Sequence, residues 1–473
     1  MSASFGPRLP LSTIVVFSLA TLATAPVGVV LFVYLPPYLA SHLGVSLGVI
    51  GAVWASVRGV DLFFDPLLGH AMDRTDSRFG RYRVWIVAGV PIFMLSVYKL
   101  FLAPPGIGAG YVFFWLFVLY IGNSILVLSL QAWTATLATA YHERSRVFGV
   151  GTAIGIAAAV ATLLIPVLGP LAGLSPNRSV QVMGWTMIVL APLGVGIAAL
   201  ATPERVNKTV EHRFSVRDYW EIVSKPEVIR LFLAQVALTL GPGWMSAMYL
   251  FYFHDVRGYS QAQSSILLLL YILIGVVGAA LTGQVTRRIG KHRTLMLTTA
   301  AFSAALLTIP LIPWGNVYAA IPVMSWCGFM AASFGLTISS MMADVGDEIR
   351  LHQGKERISL LYAVLSFAGK LTAAFAIGLT FPLLQYFGYV AKEGTHNTPG
   401  AIHALEWIFI TGPLVFVMLG GVCVWGWKLD AAKHAGIRAK LDARDAALVE
   451  QPSLASVSAT SNHLALAAED SAK

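Results

Sequence analysis

The feature that most constrains this chain is a recurrence of long apolar runs. Twelve runs of roughly 20 mostly apolar residues, the length that crosses a bilayer, lie near residues 13–38, 46–72, 84–103, 109–140, 147–172 and 179–201, then 231–253, 262–286, 294–313, 316–342, 358–388 and 403–427. In lipid each run must satisfy its own backbone hydrogen bonds, so each reads as a helix. Only 12% of the 473 residues are charged, against about a quarter in a soluble domain. The expected fold is therefore an all-α polytopic membrane protein with twelve transmembrane helices. The first run is too long for a signal-peptide core and lacks a charged start, so it reads as a span. Cys327 and Cys423 sit apart in apolar stretches without metal-ligand spacing and read as free thiols.

The loops between runs carry a strong bias. Alternate loops hold nineteen basic residues, among them Arg74, Arg78, Arg81 and Arg83, whereas the intervening loops hold three, Arg178, Arg257 and Lys392. Positive charge marks the cytoplasmic side. The expected location is a cell inner (plasma) membrane, multi-pass, with both termini and the central loop cytoplasmic. The net charge of +9 is then a topology signal and implies no nucleic-acid partner. The partners expected are the bilayer and a small-molecule or amphipathic substrate, with the chain a monomer.

The division that follows is residues 1–201 as an N-terminal six-helix half, 202–230 as a central cytoplasmic loop, 231–427 as a C-terminal six-helix half, and 428–473 as a cytoplasmic tail. The tail stretch "KLDAAKHAGIRAKLDARDAALVE" reads as a surface helix, and the Ser/Ala-rich end after Pro452 as disordered. An internal repeat supports the division. "GHAMDRTDSRFGRYR" ends the second span, and "GQVTRRIGKHR" ends the eighth. Parallel repeats of this kind build secondary transporters.

Within the runs, charge is rare. "SVRGVDLFFDPLLGHAMDR" in the second span carries Arg58, Asp61 and Asp65, three and four residues apart and so on one helical face. The eleventh span carries Lys370. A charge inside the membrane is costly and faces a cavity or a partner. At the repeat-related positions stand Ile272, Gly275 and Ala279, so the helix scaffold does not require the charges. Two carboxylates one turn apart repel, and such a pair suits a proton or a small hard cation. The alternative is a buried salt-bridge cluster that only fixes helix register.

Other candidates are Trp133, Gln131 and Ser129 in the fourth span, as cavity residues or as packing. Trp244 and Tyr249 follow a "GPG" at Gly241–Gly243 that predicts a broken helix beside a cavity, although both residue types also mark interfaces. Arg78, Arg81 and Arg83 read as topology anchors or as a gating latch onto Asp344, Asp347 or Glu348. No nucleotide-binding, hydrolytic or metalloprotease motif appears, so the chain reads as no enzyme and needs no cofactor beyond a coupling H+ or Na+.

The twelve spans and repeated Gly-basic loops resemble the major facilitator superfamily. "RGVDLFFDPLLGHAMDRTDSRFGRYRVWI" and "MMADVGDEIRLHQGKERISLLYAVLSFAGKLTAAFAIGL" resemble its glycoside–pentoside–hexuronide:cation symporters, the melibiose-carrier family. The resemblance implies that Asp61 and Asp65 bind the coupling cation, sodium included, with Lys370 nearby and Trp133 beside the sugar site. It also exposes departures. Acidic residues of the sugar carriers correspond to Ala25 and Ser129, a cation-site threonine to Leu126, an asparagine to Phe64 and a sugar-binding arginine to Ile154. The function expected is a cation-coupled symporter of a small organic solute such as a sugar or glycoside. The rival readings are transport of a lipid-like or amphipathic substrate, and a non-transporting scaffold or sensor.

Overall fold

The computed structural model describes residues 9–138, 141–204, 216–354 and 357–446. Among these residues twelve helices are long and apolar enough to cross a membrane. Spans one to six are Leu11–Ser41, Leu47–Arg74, Arg81–Phe101, Ala109–Leu137, Glu143–Ala172 and Pro176–Ala201. Spans seven to twelve are Pro226–Val256, Gln261–Ile289, Lys291–Leu311, Val317–Gln353, Leu360–Tyr386 and Pro399–Cys423. All but two lie within a few residues of the expected runs. Span seven starts five residues early and so absorbs Arg230, whose Nε donates to the Cys423 carbonyl at 2.7 Å. Span ten runs eleven residues past its expected end. At 1.5 Å per residue its 37 residues reach about 55 Å, well beyond a hydrocarbon core of about 30 Å, and lift Asp344, Asp347 and Glu348 clear of it.

The helix starts follow local chemistry. On the face opposite the arginine-rich loops, spans two, six, eight, ten and twelve begin at Ser46, Ser175, Ser260, Asn316 and Thr398, each accepting from a first-turn amide. On the basic face, spans three and nine instead begin after Gly80 and Gly290, at φ +108° and +88°. Only glycine adopts that conformation without strain. The same device at both positions shows the sequence repeat at the level of backbone geometry.

The packing repeats as well. Span three lies against four and six, as span nine lies against ten and twelve. Span one lies against five and six, as span seven lies against eleven and twelve. The two sets meet through span two on eleven, five on eight, and one on seven. Close approach of spans two and eleven needs small residues: a Cβ on Gly51 would strike Pro382, and one on Gly378 would strike Ala55.

Among the described residues, the cross-half polar contacts outside mid-membrane lie on the face away from the basic loops. The Tyr34 hydroxyl bonds Ser265 Oγ at 2.8 Å, Gly48 N donates to Gln385, and Asn177 Nδ2 donates to Glu393 at 3.4 Å. On that face burial and the Asp255 carboxylate hold the Tyr389 hydroxyl well above its ordinary range, so it remains the donor in its bond to Asp255. On the basic face the ion pairs among the described residues stay within one half or tie it to a connecting segment. Helix Val216–Val223 of the central segment presents Glu221 to Arg357 at 3.2 Å. The tail is helical over residues 431–446, as expected, and lies on the end of span ten. The tail end after Pro452, and the central-loop basic residues Arg205, Lys208 and Arg213, lie outside the described residues.

Candidate functional site

Span two runs from Leu47 on the far face to Arg74 on the basic face, which puts Asp61 about 20 Å from either end. It is 3% exposed. The i, i+3 spacing brings Arg58 Nη1 to 3.1 Å from Asp61 Oδ2. Arg58 is clamped from outside its own helix, its guanidinium 4.0 Å from the Tyr120 ring centroid and 5.8 Å from that of Phe32. Asp61 Oδ1 accepts from Ser124 Oγ at 3.1 Å.

Lys370 arrives from span eleven in the other half. Its ammonium lies 3.4 Å from Asp61 Oδ2 and pairs with Asp65 Oδ2. The repulsion that spacing alone implies between the two carboxylates is therefore offset by a cation that bridges them. Two carboxylates face two cations, and the set is electrically balanced. The balance is unequal in detail. Asp61 has Arg58, Lys370 and Ser124, whereas Asp65 has Lys370, and its Oδ1 is buried without a partner. Asn123, beside Ser124 in span four, likewise keeps a buried, unpartnered side-chain oxygen. Oxygens from Asp61, Asp65 and Ser124 are the hard ligands a sodium ion takes, while a proton needs only one carboxylate.

Two cavities share Thr152 and Ile156 of span five in their walls, and Arg58, Asp61, Asp65 and Lys370 line neither. One, of about 400 Å³, lies between spans one, four and five and includes Gln131 and Ala25 in its lining. The other, of about 800 Å³, lies between the halves, with Phe32 of span one facing Tyr271 and Phe334 of spans eight and ten. Both fall near the size range of small-molecule sites, about 300–1,000 Å³.

Of the residues expected at the cavity, Gln131 lines it and the others are committed to packing. Trp133 is fully buried, edge-on to Phe17 at 5.3 Å, with the Arg83 guanidinium 5.5 Å from its ring. Ser129 is buried with Oγ 3.7 Å from Met72 Sδ. Trp244 Nε1 donates to the Ile408 carbonyl at 3.0 Å, and Tyr249 OH to the Ser264 carbonyl at 3.0 Å. The expected break at Gly241–Gly243 is absent: the helix continues through Pro226–Phe251, and Gly241 instead gives room to Val417 and the Pro413 carbonyl of span twelve. The irregularity falls in span one instead, where helical segments Leu11–Ser18, Ala25–Val29 and Leu35–Ser41 are joined by a 3₁₀ turn and a π-helical turn around Pro26, Pro36 and Pro37. Cys327 and Cys423 are free thiols, the first buried and the second half-buried.

The structure does not bring the arginine loop to the acidic end of span ten. Glu204, just after span six, accepts from the amides of Arg81, Tyr82 and Arg83 at 2.9, 2.8 and 3.0 Å. It sits where the positive end of span three's dipole favours an anion. Arg83 donates to the Thr202 carbonyl, and the Arg78 guanidinium lies 4.9 Å from the Phe79 ring. Asp344 accepts from Lys291 at 2.7 Å, and His434 of the tail helix lies 2.9 Å from Asp347 and 3.3 Å from Asp344. Arg438 meets Asp347 at 3.1 Å, and Lys433 meets Glu348 at 2.7 Å. The basic partners of the span-ten carboxylates thus come from span nine and the tail. Ser124, Tyr120 and Glu204 escaped sequence reasoning. The capping position of Glu204 carried a weak signal, an acid between a span end and a basic loop.

Two sets of six spans that meet at a mid-membrane ion pair, with a cavity between them that has no charged side chain among its described lining residues, define the class of membrane transport proteins. The chain belongs to the MFS/sugar transport protein family, whose model matches residues 16–431. It is similar to the isoprimeverose transporter of Lactiplantibacillus pentosus, 26% identical over 84% of each chain. It is also similar to the glucuronide carrier protein homolog of Escherichia coli (strain K12), 24% identical over 92% of this chain and 96% of that one. In fold it resembles the nucleoside transporter NupG, with a TM-score of 0.64 at 12% identity, covering 87% of this chain and 99% of that one. A bacterial homolog of the human lysosomal transporter Spinster gives a TM-score of 0.59 at 13% identity, covering 91% and 96%.

Proposed function

We propose that this chain is a cation-coupled symporter of a sugar or glycoside, working by alternating access, with its basic face in the cytoplasm. The observation that carries the reading is the Lys370 ammonium bridging Asp61 and Asp65 across the two halves. A coupling ion, proton or sodium, that takes the carboxylates displaces the lysine and removes a tie between spans two and eleven. An ion shifts such an equilibrium only through its differential affinity for the two states, and this contact supplies the difference. The hydroxyl and amide groups around the cavities, Gln131 among them, suit a hydroxylated solute, and the names of the relatives point the same way.

The test is uptake in proteoliposomes with an imposed proton or sodium gradient. Asp61→Asn and Asp65→Asn should abolish accumulation against a gradient while exchange at equal concentrations survives in folded protein. Accumulation by both variants would refute the coupling role and leave the cluster as a helix-register device. Reporter fusions after Arg213 and in the tail should read cytoplasmic and one near Lys392 external; an external signal from the central segment would reverse the orientation.

A further inference from the structure

On the far face, the segment between the end of span eleven at Tyr386 and the start of span twelve at Pro399 crosses from one half to the other. Its root is fixed in the C-terminal half. Tyr389 is buried there, its ring 5.6 Å from that of Phe251 and its hydroxyl donating to Asp255. Residues 390–397 then close on themselves. Asn397 Oδ1 accepts from Val390 N at 2.8 Å, and Asn397 Nδ2 donates to the Val390 carbonyl at 2.9 Å. At the tip Thr395 N donates to the Lys392 carbonyl at 3.2 Å.

From that tip Glu393 reaches the N-terminal half twice. Its amide donates to the carbonyl of Ser41, the last residue of span one, at 3.2 Å. Its carboxylate accepts from Asn177 Nδ2, at the start of span six, at 3.4 Å. The same Asn177 Nδ2 lies 2.9 Å from His42 Nδ1, within its own half. The crossing covers a cavity of about 450 Å³ whose lining takes in Tyr34, Asn177, Asp255, Ser264 and the segment itself. Tyr34, bonded to Ser265, belongs to this cavity, while its neighbour Val33 lines the cavity between the halves. Ser41 lies about 10 Å farther out along span one than Tyr34. The closure of this face therefore has two layers, Tyr34 on Ser265 and, outside it, Glu393 on Ser41 and Asn177.

The outer layer is built to give way. The entropy of ordering the segment is offset inside its own half, through Asn397 and Tyr389, so crossing to the other half adds little to it. Glu393 is exposed, and an exposed charged contact shifts an equilibrium by a factor of about two to five. A contact of that size biases the face towards closure and still breaks readily.

We propose that residues 390–397 are a latch, carried as a unit by the C-terminal half, that holds the far face shut through Glu393 and covers the cavity beneath. Opening of that face breaks the contacts of Glu393 with Ser41 and Asn177 and leaves the Asn397 closure intact. The latch rests on the alternating-access reading and adds to it the element that sets how readily the far face opens.

The experiment measures how fast a charged, water-soluble maleimide labels Ser264→Cys in the purified full-length protein in lipid nanodiscs, with Cys327→Ala and Cys423→Ala as background. Ser264 is 1% exposed and lines the covered cavity, so its labelling reports opening of the far face. Nanodiscs leave both faces accessible, whichever is cytoplasmic. Glu393→Ala and Asn177→Ala should each raise the rate about two- to fivefold. Because both sever one bond, the double variant should label no faster than the faster single variant. Asn397→Ala loosens the latch and should raise the rate as well. His396→Ala, at an exposed neighbour outside the cavity lining, should leave it unchanged. An unchanged rate in Glu393→Ala, Asn177→Ala or Asn397→Ala, single effects that multiply in the double variant, or an equal rise with His396→Ala would each overturn the latch. Labelling needs no solute and no ion gradient, so a failure of uptake removes the transporter reading and leaves these rates standing. Flat rates in a protein that accumulates solute remove the latch alone.

Discussion

Replacing Lys370 with methionine should harm the protein through Asp65 and not through Asp61. Asp61 keeps Arg58 and Ser124, both at 3.1 Å, after the lysine is gone. Asp65 keeps no described partner, since Lys370 holds one of its oxygens and the other is buried and unpaired. Breaking a buried pair by removing one member costs about 3–5 kcal/mol. Lys370 is 29% exposed and Asp65 18%, so solvent screening lowers the expectation to about 2–3 kcal/mol. Adding Asp65→Asn removes the stranded charge, and the double variant should return to within about 1 kcal/mol of the parent. Adding Asp61→Asn instead strands Arg58 between Tyr120 and Phe32 and should restore nothing. The assay is unfolding of the purified protein in detergent across the parent, the three single variants and the two double variants. Equal rescue by both second substitutions, or a Lys370→Met protein as stable as the parent, would refute the assignment of Lys370 to Asp65.

Two further outcomes follow from the geometry. Glu204→Gln should lower stability by about 1–2 kcal/mol, the loss of a charged cap on three amides, and Gly80→Ala should do worse, because a Cβ at φ +108° would overlap that carboxylate; a melting midpoint unchanged in either would count against the cap. Tyr34→Phe removes the bond to Ser265 that helps close the far face; at about 1 kcal/mol per net hydrogen bond the population open on that face should rise about fivefold, read by cysteine labelling at Gln261→Cys, which lines the far-face cavity with Tyr34, and unchanged labelling would remove that bond from the closure.

The span boundaries were legible because membrane insertion is decided locally: about 20 apolar residues form a helix in lipid whatever their neighbours. The helix-face cluster was legible for a related reason, since intramembrane charge is rare enough to stand out singly. The same local logic misled at Trp133, Trp244 and Tyr249. An aromatic side chain reads alike whether it lines a chamber or packs against Phe17 or Phe416, and only the neighbouring helices choose. Span ten misled differently. Its polar extension looked like a loop because hydropathy ends where the bilayer ends, while its helix continues to meet the tail.

By itself, then, the sequence determined twelve helices, a repeated arrangement of two sets of six, and three charges on one face of span two with a fourth in span eleven. The tertiary structure decided what those charges touch. Residues 305 and 309 positions apart meet at Asp65, Asp61 and Lys370, and no periodicity along a chain encodes a distance across it. It likewise decided that Glu204 caps span three, that the tail helix takes the span-ten carboxylates, and that Gln131 lines a cavity while Trp133 packs against Phe17. The physical reason is common to all three. Burial in lipid fixes each helix alone, but charge pairing, capping and cavity lining are relations between helices, set by how the halves pack in the state the chain adopts.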